Sequence, residues 1–369
     1  MSNFDVADFA VKAAGCASNA NIYDNKNMPS VMVFIPKMTW KELGIGTSTD
    51  LFPAFVVNGK ELDGFWFSKY GNISDNGRFY SLPCRDPATY VSFDSSIAAC
   101  TAKGEGWHLQ TRLEWMAVAQ WCLMNGHLPK GNNYYGKDIS ETIYKAIPSC
   151  ALDSEGRRQR VATGTGPLSW SHNGEPDGIW DMNGNVWEWV GGIRLVYGEL
   201  QVISNDGVTF GNDAADPDNS QSATSLLWCA IDGKTGKLIK PNGSGTTANS
   251  LKLDWESGHW KWVTGTIASK SEDYHSCLLE SVTIDSTIVD AAKHILQALG
   301  LYKVNETAGA YGGAHMWAIN GAAERCFIAG CDWHRGSAAS VFSVDASYAR
   351  SDASGRIGAR GAYDKLPPA

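Results

Sequence analysis

Several features that mark other protein classes are missing from this chain, and each absence excludes a function. The 369-residue sequence has no run of eighteen or more apolar residues, so it predicts no membrane-spanning helix and no membrane insertion. Its N-terminus lacks the basic start and apolar core of a signal peptide, which predicts synthesis in the cytoplasm without export. No cluster of Lys and Arg occurs and the formal net charge is −8, so nucleic acid is not an expected partner.

Motifs for catalysis and cofactor binding are also missing. There is no phosphate-binding G-x-x-x-x-G-K-[ST], no G-x-S-x-G and no H-E-x-x-H. The nine cysteines include no C-x-x-C pair and the eight histidines are isolated, so no metal triad can be identified. The cysteines are expected to be reduced, mostly buried thiols. The sequence therefore predicts no catalytic residues, no metal site and no cofactor.

Glycine and tryptophan, in contrast, are abundant. Thirty-nine glycines and fifteen tryptophans in a chain with 43% apolar residues are typical of short strands joined by long packed loops. Runs rich in β-branched and aromatic residues predict strands at Pro29–Pro36 and at 64–70. Helical spacing predicts helices over 92–102 and about 112–125, the second opening with a capping box at 111–114.

The motif DMNGNVWEW, which begins at Asp181, combines a tight N-G turn with an alternating strand. Asp181, Asn183 and Asn185 are spaced like oxygen ligands of a calcium ion, but a turn and a strand start explain them too, and both interpretations stay open. Trp187 and Trp189 could stack on sugars, yet core packing is the favoured role for a central strand.

Four motifs, in this order, resemble the formylglycine-generating-enzyme branch of the C-type lectin fold. They are M-V-x-I-P at 32–36, F-W-x-S-K-Y at 65–70, L-x-T-x-x-E-W at 109–115, and DMNGNVWEW at 181–189. The resemblance implies an α+β, C-type lectin-like fold with short strands, two main helices and long irregular loops.

The resemblance also bears on activity. The copper-binding cysteines of these enzymes align with Arg335 and Ser340, neither of which has thiol chemistry, which implies that the chain is not an enzyme. Cys326 and Cys331 have the same spacing as the copper ligands but are interpreted as structural thiols beside a core strand.

The same motifs suggest the domain organisation. Residues 1–28 form an N-terminal lead-in, and 29–369 form the C-type lectin-like domain. A stretch at about 191–315 fits the pattern poorly and is interpreted as an insertion of loops and hairpins with a helix over 286–299. A separately folding domain is the alternative for this insertion.

The segment at about 325–363 contains no Lys, Glu, Gln, Met or Asn, although these five residue types are common elsewhere in the chain. Residues 342–347 alternate between apolar and small polar types, which predicts a strand that packs through Phe342, Val344 and Ala346 and turns its polar residues to solvent. The alternative is a Ser/Ala/Gly-rich C-terminus whose composition has no functional meaning.

The frame of this segment resembles the variable proteins of diversity-generating retroelements. It is carried by Gly330, Trp333, Gly336, Ser337, Ala339, Phe342, Ala349, Arg350, Ser351, Ile357, Gly358 and Arg360. In that family, adenines of a template are replaced at random, so asparagine codons become codons that never specify Lys, Glu, Gln, Met or Trp. The resemblance thus gives the compositional gap a cause. It implies a ligand-binding surface made of Asp332, Trp333, His334, Arg335, Ala338, Ser340, Ser343, Asp345, Ser347, Tyr348, Asp352, Ser354, Gly355 and Arg356. All of these except Trp333, Ser340 and Ser343 are positions that the resemblance implies are diversified.

Within this set, fixed and variable residues are expected to differ. Buried frame residues would hold the backbone, while His334, Arg335, Tyr348 and Arg356 would supply most of the contact energy. These four residues, together with Asp345 and Ser347, are expected to be exposed on one side of the molecule.

The resemblance implies a non-enzymatic ligand-binding protein from a gut Firmicutes bacterium or its phage. The expected partner is a variable protein or glycan ligand on a bacterial surface, recognised for adhesion or receptor binding, with the virion tail as a further location. Two alternatives stay open: a metal-dependent oxidase of the formylglycine-generating or sulfoxide-synthase type, and a structural virion protein without a diversified site. The sequence does not define the ligand, and an oligomer is compatible with it.

Overall fold

A computed structural model describes residues 6–7, 9–11 and 18–365 as an α+β fold in which strands outnumber helices. Its main helices are α1 (Phe93–Thr101), α2 (Arg112–Met124) and α3 (Asp290–Ala298). Its strands, in chain order, are β1 (Asn19–Tyr23), β2 (Pro29–Pro36), β3 (Val56–Val57), β4 (Lys60–Glu61), β5 (Gly64–Ser68), β6 (Ile73–Asp75), β7 (Arg78–Tyr80), β8 (Trp107–Leu109), β9 (Trp187–Val196), β10 (Glu199–Ile203), β11 (Trp228–Ile231), β12 (Leu238–Ile239), β13 (Lys252–Glu256), β14 (His259–Val263), β15 (His275–Leu278), β16 (Thr283–Ile284), β17 (His315–Ala318), β18 (Arg325–Ala329), β19 (Val344–Tyr348), β20 (Ile357–Ala359) and β21 (Gly361–Tyr363).

A five-stranded sheet joins the beginning and the end of the chain, in the order β1-β2-β5-β21-β8. The strand predicted at Pro29–Pro36 is confirmed, and β5 ends two residues before the predicted boundary. β1 lies inside the predicted lead-in and pairs antiparallel with β2, so the sheet begins earlier than expected. β21 inserts between β5 and β8, which fixes the end of the C-terminal segment to the first part of the fold.

A twelve-stranded sheet has β9 near its centre, paired with β10, β18 and β20. The predicted insertion supplies β10 to β16 and α3; most of its strands extend this sheet outward from β9 through β10, while β15 pairs with β17 at the opposite end. α3 begins at Asp290 rather than at 286. The reason is local: Asp285 Oδ1 accepts a hydrogen bond from Thr287 N, which forms a turn that keeps these residues out of the helix.

Helix α2 connects the motif at 109–115 to the C-terminal segment. Its predicted capping box is confirmed, because Thr111 Oγ1 accepts from Glu114 N (3.1 Å) and Glu114 Oε2 accepts from Thr111 N (2.8 Å). Further along, Trp115 Nε1 donates to the Val341 carbonyl at 2.8 Å. The helix is almost entirely buried and therefore positions the chain just before β19.

Trp187 and Trp189 are fully buried, which confirms their predicted packing role. They belong to an apolar cluster with Phe93, Ile328 and Ile357 that lies against the C-terminal segment. No helix in the described part of the chain has both the length and the apolar character needed to cross a membrane.

Candidate ligand-binding site in the C-terminal segment

Three strands of the C-terminal segment carry the candidate site. β18 pairs with β9 on one side and with β19 on the other, and β20 returns parallel to β9. The frame residues Phe342, Ile357 and Arg360, and Val344 of β19, are all fully buried, as expected for residues that fix the backbone. The loops before β19 and before β20 are therefore held at both ends by one sheet.

A buried ion pair anchors the second of these loops. The Arg360 guanidinium contacts the Glu188 carboxylate through Nη2–Oε1 at 2.7 Å and Nε–Oε2 at 2.9 Å. Its remaining donors reach the carbonyls of Ser68 and Trp180. Arg360 thus links both sheets directly behind the variable loops.

The expected binding residues differ widely in exposure. Asp352 and Arg356 are exposed. The half-buried members are His334, Arg335, Ala338, Ser347, Tyr348, Ser354 and Gly355. The buried members are Asp332, Trp333, Ser340, Ser343 and Asp345. The expectation that the polar side of residues 342–347 faces solvent is therefore wrong for Ser343 and Asp345.

This burial has a tertiary cause. β19 lies between β17 and β18, and the loop at 331–340 folds over the face that was expected to be open. Ser343 Oγ donates to the Ala338 carbonyl at 2.9 Å, which fixes the loop to the strand. Asp345 Oδ1 accepts from both the amide and the hydroxyl of Ser347, at 2.8 and 2.6 Å. The small polar residues of β19 therefore satisfy one another and the loop instead of solvent.

The two variable loops contact each other through His334. Its Nδ1 hydrogen-bonds the buried Asp332 carboxylate, and its Nε2 faces Arg356 Nη1 at 3.0 Å. The Arg356 guanidinium also lies 6.0 Å from the ring centre of Trp333. Residues that are twenty or more positions apart in the sequence therefore form one continuous surface.

Arg335 packs on aromatic rings at the position that aligns with a copper-binding cysteine. Its guanidinium lies 5.0 Å from the ring centre of Trp317 and 5.8 Å from that of Trp187. His315 stacks on Trp317, with 5.3 Å between the two ring centres. Arg335 is thus held against two aromatic rings by cation–π contacts.

Tyr348 is half-buried at the end of β19 and meets Trp189 edge to face, with ring centres 6.3 Å apart. Burial, helped by the nearby Asp345 carboxylate and opposed by Arg335, raises the pKa of its hydroxyl to about 12. Burial likewise raises the pKa of the Asp345 carboxyl. Tyr348 is thus a neutral hydrogen-bonding group at physiological pH.

The remaining expected residues mainly stabilise their own turns. Asp352 Oδ2 accepts from Ala349 N at 2.8 Å, and Ser340 Oγ accepts from Phe342 N at 3.3 Å. The structure does not bring Ser340 into the cluster around His334 through any hydrogen bond of its side chain.

Residues outside the segment also border the surface, and sequence reasoning did not identify them. Tyr135 N donates to the Trp333 carbonyl at 2.7 Å, and Tyr90 N donates to the Ser354 carbonyl at 2.9 Å. Arg160 Nη1 donates to the Gly355 carbonyl at 3.3 Å. The aromatic and charged composition of these loops is the only sequence signal for this role, and it is weak because such residues are common on surfaces.

The other candidate chemical groups have structural partners, except Asp181 Oδ1 and Asn183 Oδ1, which are buried and have no hydrogen-bond partner among the described residues. Burial raises the pKa of Cys326 to about 12 and that of Cys331 further, which leaves both thiols protonated and unreactive at neutral pH. Asn185 bridges the backbone of Val161, and Asn183 Nδ2 donates to the Pro129 carbonyl at 2.9 Å. In residues 18–365, no group of three His, Cys, Asp or Glu side chains is arranged to hold a metal ion.

Residues 47–217 match the FGE-sulfatase family, described as the Sulfatase-modifying factor enzyme 1-like domain. The matched region contains α2 and the DMNGNVWEW motif and stops before most of the insertion and the C-terminal segment. Among solved structures, PvdO from Pseudomonas aeruginosa is similar at 14% identity, with 94% of this chain and 98% of that chain covered and a TM-score of 0.36. No curated protein matches the sequence.

Proposed function

We propose that this is a non-enzymatic ligand-binding protein whose C-terminal surface is diversified by a retroelement. Its ligand is a protein or glycan receptor on a bacterial surface, bound for adhesion or for host recognition by a phage tail. The observation that carries the proposal is the contact between two separated variable loops, His334 in one and Arg356 in the other, over a scaffold of buried frame residues.

A variable surface needs a backbone that does not depend on the variable side chains. Arg360 and Glu188 are buried in the structure and form charge-assisted hydrogen bonds with each other, so they can hold the backbone without help from the loops. Tyr348 and Arg356 reach solvent and combine apolar area with hydrogen-bond donors, which is the composition of binding hot spots. Asp332 and Asp345, which are buried, act by orienting His334 and Ser347.

The side chains at the positions of the aligned copper ligands favour binding over catalysis. Arg335 and Ser340 stand where the copper ligands of formylglycine-generating enzymes align, and Cys326 and Cys331 are buried with raised thiol pKa values. The match of residues 47–217 to an enzyme family is therefore not taken to bring that family's chemistry to this chain.

Sequencing of the neighbouring DNA and of many cells from one culture lineage tests the proposal. The expected result is a near-repeat of codons 325–363, with adenines at the variable positions, beside a reverse transcriptase gene. Lineages with an active retroelement should then differ at codons such as those of His334, Tyr348 and Arg356, while the codons of Phe342 and Arg360 stay constant. A locus without a template repeat, or substitutions spread evenly over the whole gene, would contradict it.

A further inference from the structure

A second cavity lies away from the variable loops, where the chain leaves β21. It has a volume of about 700 Å³ and is bounded by three segments: residues 101–106 after α1, the loop at 216–218, and residues 363–365. None of the expected binding residues in the C-terminal segment lines it.

The walls of this cavity are predominantly acidic. Glu105, Asp216, Asp218 and Asp364 line it, against Lys365 as a basic side chain. Asp216 already accepts hydrogen bonds from Asn58 Nδ2 and Asp218 N, so its position is fixed by the protein. Carboxylates from three separate segments thus line one solvent-connected space. Their negative electrostatic potentials add, which favours the binding of a cation.

Asp364 is the independent sign that a ligand belongs here. Its side chain is only 1% exposed, and neither of its carboxylate oxygens has a hydrogen-bond partner within the described part of the chain. Buried carboxyl groups almost always have donors, because a buried acceptor without a donor costs folding free energy. The cavity that Asp364 lines is a route by which a donor can reach it.

The neighbouring protein groups are already engaged elsewhere. His108 Nδ1 faces the Gly106 carbonyl at 3.0 Å and His108 Nε2 faces Glu114 Oε1 at 2.8 Å, so both ring nitrogens have acceptors other than Asp364. The backbone amide of Asp364 donates to the Gly106 carbonyl. The missing donor must therefore come from outside this network.

We infer that this cavity binds an organic ammonium ion, with linear diamines and polyamines as the best-matched class, through Asp364 and the surrounding carboxylates. An ammonium group supplies several N–H donors in one position, which suits the two free oxygens of Asp364. Further amines along a linear chain meet Asp216, Asp218 or Glu105. This site is separate from the proposed receptor-binding surface, so a result that contradicts one proposal does not contradict the other.

Binding should be linked to protonation. Burial raises the pKa of the Asp364 carboxyl to about 7, with His108 lowering it and Glu114 and Asp216 raising it. An ammonium ligand favours the ionised carboxylate, so its affinity should rise as the pH increases through 7 and a proton should be released on binding.

Calorimetric titration of the full chain with spermidine and cadaverine tests the inference, with 1,5-pentanediol as an uncharged analogue of cadaverine and Mg²⁺ as a simple cation. Saturable binding of the amines but not of pentanediol or Mg²⁺ is expected. Equal binding heats from Mg²⁺ and spermidine would show that the cavity binds cations without specificity and would overturn the inference. The absence of amine binding would also overturn it.

Variants locate the binding. Asp364→Asn should weaken spermidine binding about tenfold or more, because it removes one partner of a buried charge pair, and should abolish the pH dependence. Asp218→Asn, at an exposed position that cannot impair folding in the same way, should weaken it about twofold to fivefold. Asp273→Asn, at an exposed position that does not line the cavity, is the matched control and should bind like the original chain. Unchanged affinity in folded Asp364→Asn, or in Asp218→Asn if the first variant does not fold, would overturn the assignment.

Discussion

Arg360, between β20 and β21, forms a buried, two-point ion pair with Glu188 of the central strand β9, with contacts of 2.7 and 2.9 Å. Gln110 Nε2 donates to the same carboxylate at 3.0 Å, so Glu188 accepts hydrogen bonds from two buried side chains. Because the charges neutralise each other without solvent, this pair can hold the loop while every neighbouring variable side chain changes.

Removing one partner of this pair should be strongly destabilising. Glu188→Gln leaves the Arg360 charge buried without its counter-charge, and we expect a loss of about 3–5 kcal/mol in the free energy of unfolding. Chemical denaturation monitored by tryptophan fluorescence measures this loss. The exposed pair Lys37–Asp63 provides the control, since Asp63→Asn should leave the unfolding midpoint unchanged. Similar effects of both substitutions would show that Arg360 has no anchoring role.

Substitutions of buried scaffold residues and of exposed surface residues should differ in their effect on the free energy of unfolding. Phe342→Ala removes a fully buried ring that packs edge to face on Tyr311, and should cost about 3–5 kcal/mol. Arg356→Ala, at an exposed position, should change the free energy of unfolding by less than about 0.5 kcal/mol. Denaturant melts of both variants measure the difference, and equal losses would contradict the division.

The secondary structure that could be predicted depends on local signals. The capping box at Thr111 and Glu114 and the apolar run of β2 specify their elements within a few residues, and both are confirmed. β1 was not predicted as a strand because its sequence, NANIY, carries little apolar periodicity and is ordered by pairing with β2. Its structure is therefore a tertiary effect.

The side-chain arrangement of the candidate site could likewise be predicted only where local patterns determine it. Alternation correctly predicted the buried frame residues Phe342 and Val344. It failed for Asp345, because period-two patterns describe only the strand and not the loop that folds over it. The contact between His334 and Arg356 depends on how two loops return to the sheet, which no local pattern encodes.

The protein should have no formylglycine-generating activity. The chain, incubated with copper, oxygen and a cysteine-containing sulfatase peptide, should leave the peptide cysteine unconverted, because Arg335 and Ser340 offer no thiolate and Cys326 and Cys331 are buried with raised pKa values. Mass spectrometry of the peptide provides the measurement. Product that disappears in Cys326→Ser or Cys331→Ser would show that these thiols are catalytic after all.

Folding stability should depend on the protonation of His108. Burial alone would lower the pKa of this imidazole, but the Glu114 carboxylate and Asp364 raise it to about 9. Since the folded pKa lies above the unfolded value of about 6.5, the stabilisation is fully present below that value and is lost as the pH rises through 9.

The comparison with His108→Gln isolates this contribution. The difference in unfolding free energy between the original chain and the variant should be largest below pH 6.5 and shrink by at most about 3 kcal/mol towards pH 9, since one pKa unit corresponds to about 1.4 kcal/mol. Denaturant melts over this range provide the measurement. A difference that stays constant with pH would mean that His108 is not protonated in the folded protein.

Tolerance to randomisation should follow burial among the expected binding positions. One displayed library varies His334, Arg335, Tyr348 and Arg356, and a matched library of equal size varies Asp332, Trp333, Ser343 and Asp345. Protease treatment of the displaying cells removes unfolded variants. The first library should keep a much larger surviving fraction, because its side chains reach solvent whereas those of the second are buried against the sheet and its covering loop. Equal survival of the two libraries would show that burial does not limit which positions of the segment can vary.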